Sequence, residues 1–236
     1  MKELCFDGSG SLLFYYFGVA KFIQENYNLD DVIFTGRSGG CLVILLLSLN
    51  INLSSFIDDF TMSLNEISNN NSFGLFTLIS KVRHYISDLT KNIPNKLDII
   101  NKKLNLHVTV IKKIFKLKYE NRIVSNWNTY DDFIDIICCA IYIPFYGKKF
   151  FYSYKNERYI DGAVLANMSK KYEYKELTSS NLDKKFTIEL DKWRNVKKYY
   201  PFFLMNFNIN FSKKMVDYGY EDALNNKNEL DDFFHT

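Results

Sequence analysis

The chain has 236 residues, 47% hydrophobic and 17% aromatic, a composition that can bury a full core and is too apolar for a disordered protein. Its net charge of +3, with 24% charged residues, provides no overall field that would favour nucleic acid as a partner. The four cysteines fit neither a disulfide framework nor a zinc-binding spacing, so we expect reduced thiols in an intracellular protein.

The sequence predicts neither secretion nor a membrane span. Met1 is followed almost at once by an apolar strand and a glycine-rich turn, which is not the pattern of a signal peptide. The longest apolar run, residues 41–49, is much shorter than the about 20 residues that cross a bilayer. We therefore expect a cytoplasmic protein that is neither secreted nor transmembrane.

The first fifty residues alternate strands and helices. Apolar runs and helical periodicity predict a strand at 4–6, a glycine turn at 7–10, a helix at 11–26, a strand at 32–35, a second glycine turn at 36–40 and a buried helix at 41–49. This alternation is typical of a parallel sheet in an α/β fold.

The remaining chain is predicted to be helical in its middle and mixed thereafter. Ser54 or Ser55 could cap a helix that ends near residue 65, and Thr129 could cap another over 130–140. The other predicted elements are a helix at 77–89, a strand pair within 106–119, strands at 150–154, 158–160 and 186–190, and a closing helix at 212–225. No linker suggests a second domain.

The segment Gly36-Arg37-Ser38-Gly39-Gly40 has the G-x-S-x-G pattern between a predicted strand and a predicted helix. In that context the serine sits on a sharp turn, and small residues around it avoid clashes that a Cβ would cause. The amides at the start of the following helix favour an anionic transition state. Ser38 is therefore the candidate nucleophile, against the alternative of a tight turn with an incidental serine.

A serine nucleophile needs a base, and none of the three histidines is well placed for that role. His84 lies in a polar helix, His107 opens a predicted strand and His235 is in a tail expected to fray. An aspartate can serve if it is held within hydrogen-bond reach. Asp161 follows a predicted strand and precedes a glycine, so it is the strongest candidate, although Asp-Gly alone is typical of a surface turn.

The loop Asp7-Gly8-Ser9-Gly10 after the first strand could present successive amides to an oxyanion, and Gly39 could supply another. The same loop resembles the start of a dinucleotide fingerprint, but Leu13 stands where the third glycine would be. A phosphate loop would require a G-K-[ST] sequence, which the chain lacks. An oxyanion hole is the preferred interpretation.

Taken together, these motifs resemble the patatin-like phospholipase family, in particular its adiponutrin-like branch. The similarity rests on Phe6-Asp7-Gly8-Ser9-Gly10 with Gly18-Val19, on Gly36-Arg37-Ser38-Gly39-Gly40, on the segment 138–146 and on Asp161-Gly162-Ala163. The blocks occur in the order and spacing of the family and cover roughly residues 1–170.

The resemblance implies a three-layer α/β fold with a central, mostly parallel sheet flanked by helices. It implies a Ser38–Asp161 dyad without histidine, an acyl-enzyme, and an oxyanion hole formed by the amides of Gly8, Ser9, Gly10 and Gly39. It implies no metal and no cofactor. We expect residues 1–170 to form the catalytic core and residues 171–236 to be an extension that packs on the same domain.

The resemblance also implies the substrate class, an acyl ester of a phospholipid or an acylglycerol. An acyltransferase on the same dyad is an alternative. A second alternative is a catalytically weak scaffold that binds membranes or lipid droplets, because Ser9 and Leu13 stand where the family often has glycine.

A peripheral contact with a membrane or lipid-droplet surface is the expected partner interaction, without nucleic acid. Residues 96–118 could supply it, since lysines there alternate with apolar side chains, but an ordinary solvated face explains the pattern as well. The lysines are Lys96, Lys102, Lys103, Lys112, Lys113, Lys116 and Lys118. The aromatic segment 199–205 could be an interfacial anchor, although a place in the core is the preferred interpretation.

Overall fold

The computed structural model describes residues 1–69, 77–113, 118–144, 149–163, 182, 184–199 and 208–235. In chain order its elements are β1 (Lys2–Phe6), α1 (Leu13–Asn26), β2 (Val32–Arg37), α2 (Gly40–Ser48), α3 (Leu53–Asn69), α4 (Leu78–Thr90), α5 (Lys96–Lys103), β3 (Leu104–Lys113), β4 (Lys118–Val124), α6 (Tyr130–Ala140), β5 (Tyr152–Tyr154), β6 (Glu157–Ile160), β7 (Lys184–Ile188), α7 (Ile209–Asn225) and α8 (Lys227–His235). Short 3-10 helices cover Gly10–Leu12 and Val196–Tyr199.

The seven strands form one sheet in the order β5-β6-β3-β2-β1-β7, and β4 pairs with β3. β1 runs parallel to β2 and β7, and β2 runs parallel to β3. The pairs of β3 with β4, β3 with β6 and β5 with β6 are antiparallel. The expected α/β fold is confirmed. Its sheet is mixed because β4 and the β5–β6 hairpin add antiparallel strands to the parallel part.

The long strand β3 pairs with both strands that lead into the candidate motifs, β2 and β6. β4 pairs with β3 from Leu106 to Lys113 and so occupies one edge over that length. β2 pairs with residues 104–107 and β6 with residues 109–110, so both must use the opposite edge. Because β2 runs parallel to β3 and β6 antiparallel, the carboxyl ends of β2 and β6 face each other.

The core forms because apolar strand positions meet helices that are buried along most of their length. Every residue of α2 is buried, as the sequence predicts for residues 41–49. α1 and α7 approach closely at two glycines: a Cβ on Gly18 would lie 2.0 Å from the Val216 carbonyl oxygen, and one on Gly219 1.9 Å from that of Tyr15.

The carboxyl-terminal residues that are described pack on the same sheet. β7 pairs with β1, and α7 packs on α1. The proposed boundary at residue 170 lies outside the described residues and stays a prediction, as do residues 200–205 of the aromatic segment.

One helix boundary differs from the expectation for a local reason, and two helices were missed. α3 begins at Leu53 because it is capped by Asn52 rather than by Ser54 or Ser55. The Asn52 side chain accepts the Ser55 amide at 3.0 Å. The Thr129 cap is confirmed, since its hydroxyl accepts the Asp132 amide at 3.1 Å. Neither α5 nor α8 was predicted; the tail is held as a helix because Phe234 stacks on Tyr27 with ring centroids 4.2 Å apart.

Candidate active site

Ser38 lies on a sharp turn between β2 and α2. Its φ of 51° is in the left-handed region, which a non-glycine residue adopts only when the surrounding structure imposes it. The turn closes through the Cys41 amide, which donates to the Ser38 carbonyl at 2.9 Å. A Cβ on Gly40 would lie 2.1 Å from the Phe6 carbonyl oxygen, so the close approach of β1 requires glycine there. The geometry is that of a strand–turn–helix nucleophile elbow.

The Ser38 hydroxyl donates a hydrogen bond to Oδ2 of Asp161, although 123 residues separate the two in the chain. The other carboxylate oxygen, Oδ1, accepts the Ala163 amide at 2.8 Å, and the Asp161 amide donates to the Tyr142 carbonyl at 2.8 Å. Both side chains are enclosed, since Ser38 is 3% and Asp161 1% exposed. The structure therefore brings together the two residues that the sequence predicts as nucleophile and base.

The glycine loop lies directly against this pair. A Cβ on Gly8 would lie 2.7 Å from Cβ of Ala163 and 3.5 Å from Cβ of Ser38. A Cβ on Gly39 would lie 2.4 Å from the Ser9 hydroxyl oxygen, so the loop after β1 and the residue after the nucleophile are in contact. Gly10, with a φ of 55°, lines the same cleft as Ser38 and Gly39.

The Gly8 amide is engaged within its own loop, donating to Asp7 Oδ1 at 2.7 Å. To act as an oxyanion donor, the Gly8 amide must therefore share or break its bond to Asp7 when substrate binds. The assignments of Ser9, Gly10 and Gly39 as amide donors stay predictions.

An ion pair behind the loop links the two motifs and was not anticipated. Nη1 of Arg37 lies 3.5 Å from Oδ1 of Asp7, and Arg37 is 4% exposed. Arg37 precedes the nucleophile and Asp7 precedes Gly8, so the pair connects the strand ends that carry the elbow and the glycine loop. The signal available in the sequence was an acidic residue at the start of the glycine loop and a basic residue next to Ser38.

An apolar cleft with a volume of about 70 Å³ opens beside Ser38 and Asp161. Leu13, which occupies a position where the family often has glycine, forms part of the apolar wall. The other walls come mainly from α2, α3 and α4, through Leu42, Phe60, Leu64, Leu78, Ile79 and Val82. The role of α3 and α4 as walls of the site was not predicted from the sequence, although their apolar stripes were the available signal.

The histidines are placed differently from expectation in two cases. His107 is buried on β3 and pairs in register with Arg37, so it lies near the elbow rather than away from it. His235 belongs to α8 instead of a frayed tail. His84 is exposed on α4, with Nε2 3.2 Å from Asp88, as a solvated histidine. The hydrogen bond that Ser38 donates goes to Asp161, which stays the predicted base.

All four cysteines are free and buried. Burial raises the pKa of Cys138 to about 11 and of Cys5 to about 12, and it also raises the pKa of Cys41, to which the Asp161 carboxylate contributes. Thiols with such raised pKa values are poor nucleophiles near neutral pH. The raised pKa of Cys41 therefore makes it a poorer candidate nucleophile than the neighbouring Ser38.

The described ranges show neither a metal-binding cluster nor a membrane-spanning helix. They contain no group of three histidine, cysteine, aspartate or glutamate side chains that could hold a metal ion. No helix in the same part of the chain is long and apolar enough to cross a membrane.

Three of the lysines proposed for a basic docking surface are engaged by protein groups. Lys96 donates to the Thr90 carbonyl at 2.9 Å and Lys103 to the Leu29 carbonyl at 2.9 Å. Lys112 lies 3.0 Å from both Glu120 and Glu157. Lys103 and Lys112 are also near opposite ends of β3, and Lys116 lies outside the described residues. These contacts favour the ordinary charged face over a single basic patch.

Comparison with known proteins identifies a family over most of the chain. The family model described as patatin-like phospholipase matches residues 4–169. The chain is 26% identical to the mouse 1-acylglycerol-3-phosphate O-acyltransferase Pnpla3 over 171 residues, which cover 70% of this chain and 40% of that protein. It is 23% identical to the mouse omega-hydroxyceramide transacylase over 223 residues, which cover 91% of this chain and 35% of the relative.

A further relative is the human patatin-like phospholipase domain-containing protein 4, 24% identical over 169 residues, or 69% of this chain and 64% of that protein. The chain thus spans between about a third and two thirds of the length of these curated relatives. No solved structure matches the chain significantly. The predicted family resemblance is confirmed.

Proposed function

Because the chain belongs to the patatin-like phospholipase family, we propose that it cleaves acyl esters of lipids through an acyl-enzyme on Ser38. The observation that carries the proposal is the hydrogen bond from the Ser38 hydroxyl to the Asp161 carboxylate, made at the end of an apolar cleft. The substrates we propose are phospholipids or acylglycerols, met at a membrane or lipid-droplet surface.

In the proposed reaction, Oγ of Ser38 attacks the ester carbonyl carbon while Asp161 takes the hydroxyl proton. The tetrahedral intermediate collapses, the carbon–oxygen bond to the leaving alcohol breaks, and Asp161 returns the proton to that oxygen. A water molecule then attacks the acyl-enzyme, with Asp161 as base again. The fatty acid leaves and Ser38 recovers its proton.

The tetrahedral oxygen carries a negative charge. We assign the stabilisation of this charge to hydrogen bonds from the amides of Gly8, Ser9, Gly10 and Gly39. The contact between Ser9 and Gly39 supports this assignment, because it holds the two donor segments side by side. For Gly8, substrate must compete with the Asp7 carboxylate for the amide. The Asp7 oxygen that accepts the Gly8 amide also lies 3.5 Å from Nη1 of Arg37, so Arg37 can hold that carboxylate when the amide turns to substrate.

A second candidate is transfer of the acyl group to an acceptor hydroxyl in place of water. The names of two relatives, an O-acyltransferase and a transacylase, favour it. The first half of the reaction is then unchanged, and only the nucleophile that attacks the acyl-enzyme differs.

A fluorophosphonate probe tests the nucleophile directly. We expect the purified wild type to be labelled and Ser38→Ala to be spared, while the matched control Ser87→Ala in α4 keeps full labelling. Labelling that persists in Ser38→Ala would refute the assignment of the nucleophile. A folded wild type that is not labelled at all would favour the non-catalytic scaffold.

The product distinguishes the two chemistries. The wild type is incubated with phosphatidylcholine vesicles or a triacylglycerol emulsion, with and without a lysophospholipid acceptor, and the lipids are separated. Free fatty acid that does not depend on the acceptor supports hydrolysis. A new ester on the acceptor, absent in Ser38→Ala, supports transfer.

A further inference from the structure

The apolar cleft shares three of its lining side chains with a second cavity. Phe60 and Leu64 of α3 and Val82 of α4 line the cleft beside Ser38, and the same three line a second groove. We call these three residues the partition. Polar side chains complete the groove, among them Ser63, Glu66, Lys81, His84 and Asp88. A single layer of side chains therefore separates the apolar cleft from a more polar space.

We propose that the partition limits the length of the acyl chain that the enzyme accepts. This inference rests on the proposed function, because it assigns the cleft to the acyl chain of the ester. A chain that extends from the carbonyl carbon at Ser38 along the apolar wall meets Phe60, Leu64 and Val82 at its far end. Among the described residues, the next space that adjoins the partition is the partly polar groove.

The partition is rigid at its centre because Phe60 is held by other aromatic rings. Its ring stacks on Phe56 with centroids 5.1 Å apart, meets Phe17 edge to face at 5.9 Å, and lies 5.4 Å from Tyr85. Rings packed on several sides cannot move without opening a void. A longer acyl chain would therefore have to bend away rather than displace Phe60.

The partition predicts a profile of activity against chain length. Burying one methylene contributes about 0.8 kcal/mol, which corresponds to a rise of about fourfold in kcat/KM per carbon while the chain still gains apolar contacts. Once the chain reaches the partition, the rise should stop. The chain length at that break is the quantity that the variants should change.

The experiment measures kcat/KM for p-nitrophenyl esters from butanoate to hexadecanoate in mixed micelles of constant composition. Leu64→Ala and the milder Val82→Ala shorten partition side chains and join the cleft to the groove. We expect each to move the break to longer chains by about two to four carbons, because the cavity left behind does not collapse fully. Thermal unfolding verifies that each variant is folded.

The matched control is Leu78→Ala, the same truncation at a residue that lines the cleft but is not among those lining the groove. It should lower activity across the series without moving the break. In the Leu64→Ala background, Ser80→Trp fills the groove from α4 and should return the break toward that of the wild type.

The outcomes separate this inference from the proposed function. A wild type that hydrolyses no ester of any length would defeat the proposed function and this inference with it. An active wild type whose break stays in place in both Leu64→Ala and Val82→Ala would overturn the partition alone. A shift of equal size in Leu78→Ala would also overturn it, because loosening of the cleft in general would then explain the result.

Discussion

Ser38 and Asp161 follow two strands that lie end to end along the same edge of β3. β2 approaches from one direction and ends at Arg37, which pairs with His107. β6 approaches from the other and ends at Ile160, which pairs with Thr109. The residues that follow each strand therefore meet opposite the middle of β3, where the Ser38 hydroxyl reaches the Asp161 carboxylate.

Replacing Asp161 with asparagine should remove the base while keeping the shape of the side chain. We expect kcat/KM toward lipid esters to fall about 10²- to 10⁴-fold, the usual contribution of a general base. The fold should be retained, since an amide oxygen can still accept the Ala163 amide. Ester hydrolysis and circular dichroism of the same samples measure both. Full activity in Asp161→Asn would refute the dyad, while the Ser38 assignment could stand.

The contact between Gly8 and Ala163 predicts a pair of mutations that compensate each other. Gly8→Ala places a Cβ 2.7 Å from that of Ala163, so we expect it to displace the glycine loop and lower esterase activity about tenfold or more. Adding Ala163→Gly removes the clash, and the next neighbour, Cβ of Ser38, is at an ordinary 3.5 Å. The double variant should regain most of the loss in a double-mutant cycle. Purely additive effects would contradict a direct clash.

The buried Tyr15 hydroxyl should contribute more to stability than an exposed tyrosine hydroxyl that also donates to a carboxylate. Its buried hydroxyl donates to Asp222 at 3.0 Å and ties α1 to α7, and burial together with Asp222 raises the pKa of Tyr15. We expect Tyr15→Phe to lower the free energy of unfolding by about 1–2 kcal/mol. The control Tyr220→Phe, whose exposed hydroxyl donates to Glu25, should cost less than about 0.5 kcal/mol. Urea unfolding of both variants tests the ranking, which equal losses would contradict.

The ion pair between Arg122 and Glu157 should make the hairpin that leads to Asp161 sensitive to acid. Nη1 of Arg122 donates to Glu157 at 2.6 Å, and this bond lowers the pKa of Glu157 to about 2. A carboxylate with a lowered folded pKa stabilises the fold above its unfolded value of about 4.3, and that contribution is lost as the pH falls toward the folded pKa.

Arg122→Gln should therefore lower stability near pH 7 by at most about 1 kcal/mol, because both partners are partly exposed. The difference from the wild type should shrink as the pH falls below about 4. Urea titrations at several pH values measure it. A difference that stays constant, or grows toward acid, would contradict the assignment.

Much of the site could be predicted because its parts are local. The turn at 36–40 is predicted by adjacent residues, because a strand, a serine next to glycines and an apolar helix follow one another there. The φ of 51° at Ser38 confirms the turn. The same holds for the Thr129 cap, which depends on residues three apart. Asp161, by contrast, was recognised mainly through the order of the motifs, because an Asp-Gly turn alone carries little information.

The sequence by itself determined the alternation of strands and helices, the nucleophile turn and the burial of α2, because these depend on periodicity and on neighbours within a few residues. The tertiary structure alone decided that β2 and β6 share one edge of β3, that Arg37 pairs with Asp7, and that α3 and α4 wall the cleft. Those relationships depend on strand register and packing between distant segments. A period of 2 or 3.6 residues specifies which face of an element is apolar, but not which other element covers it.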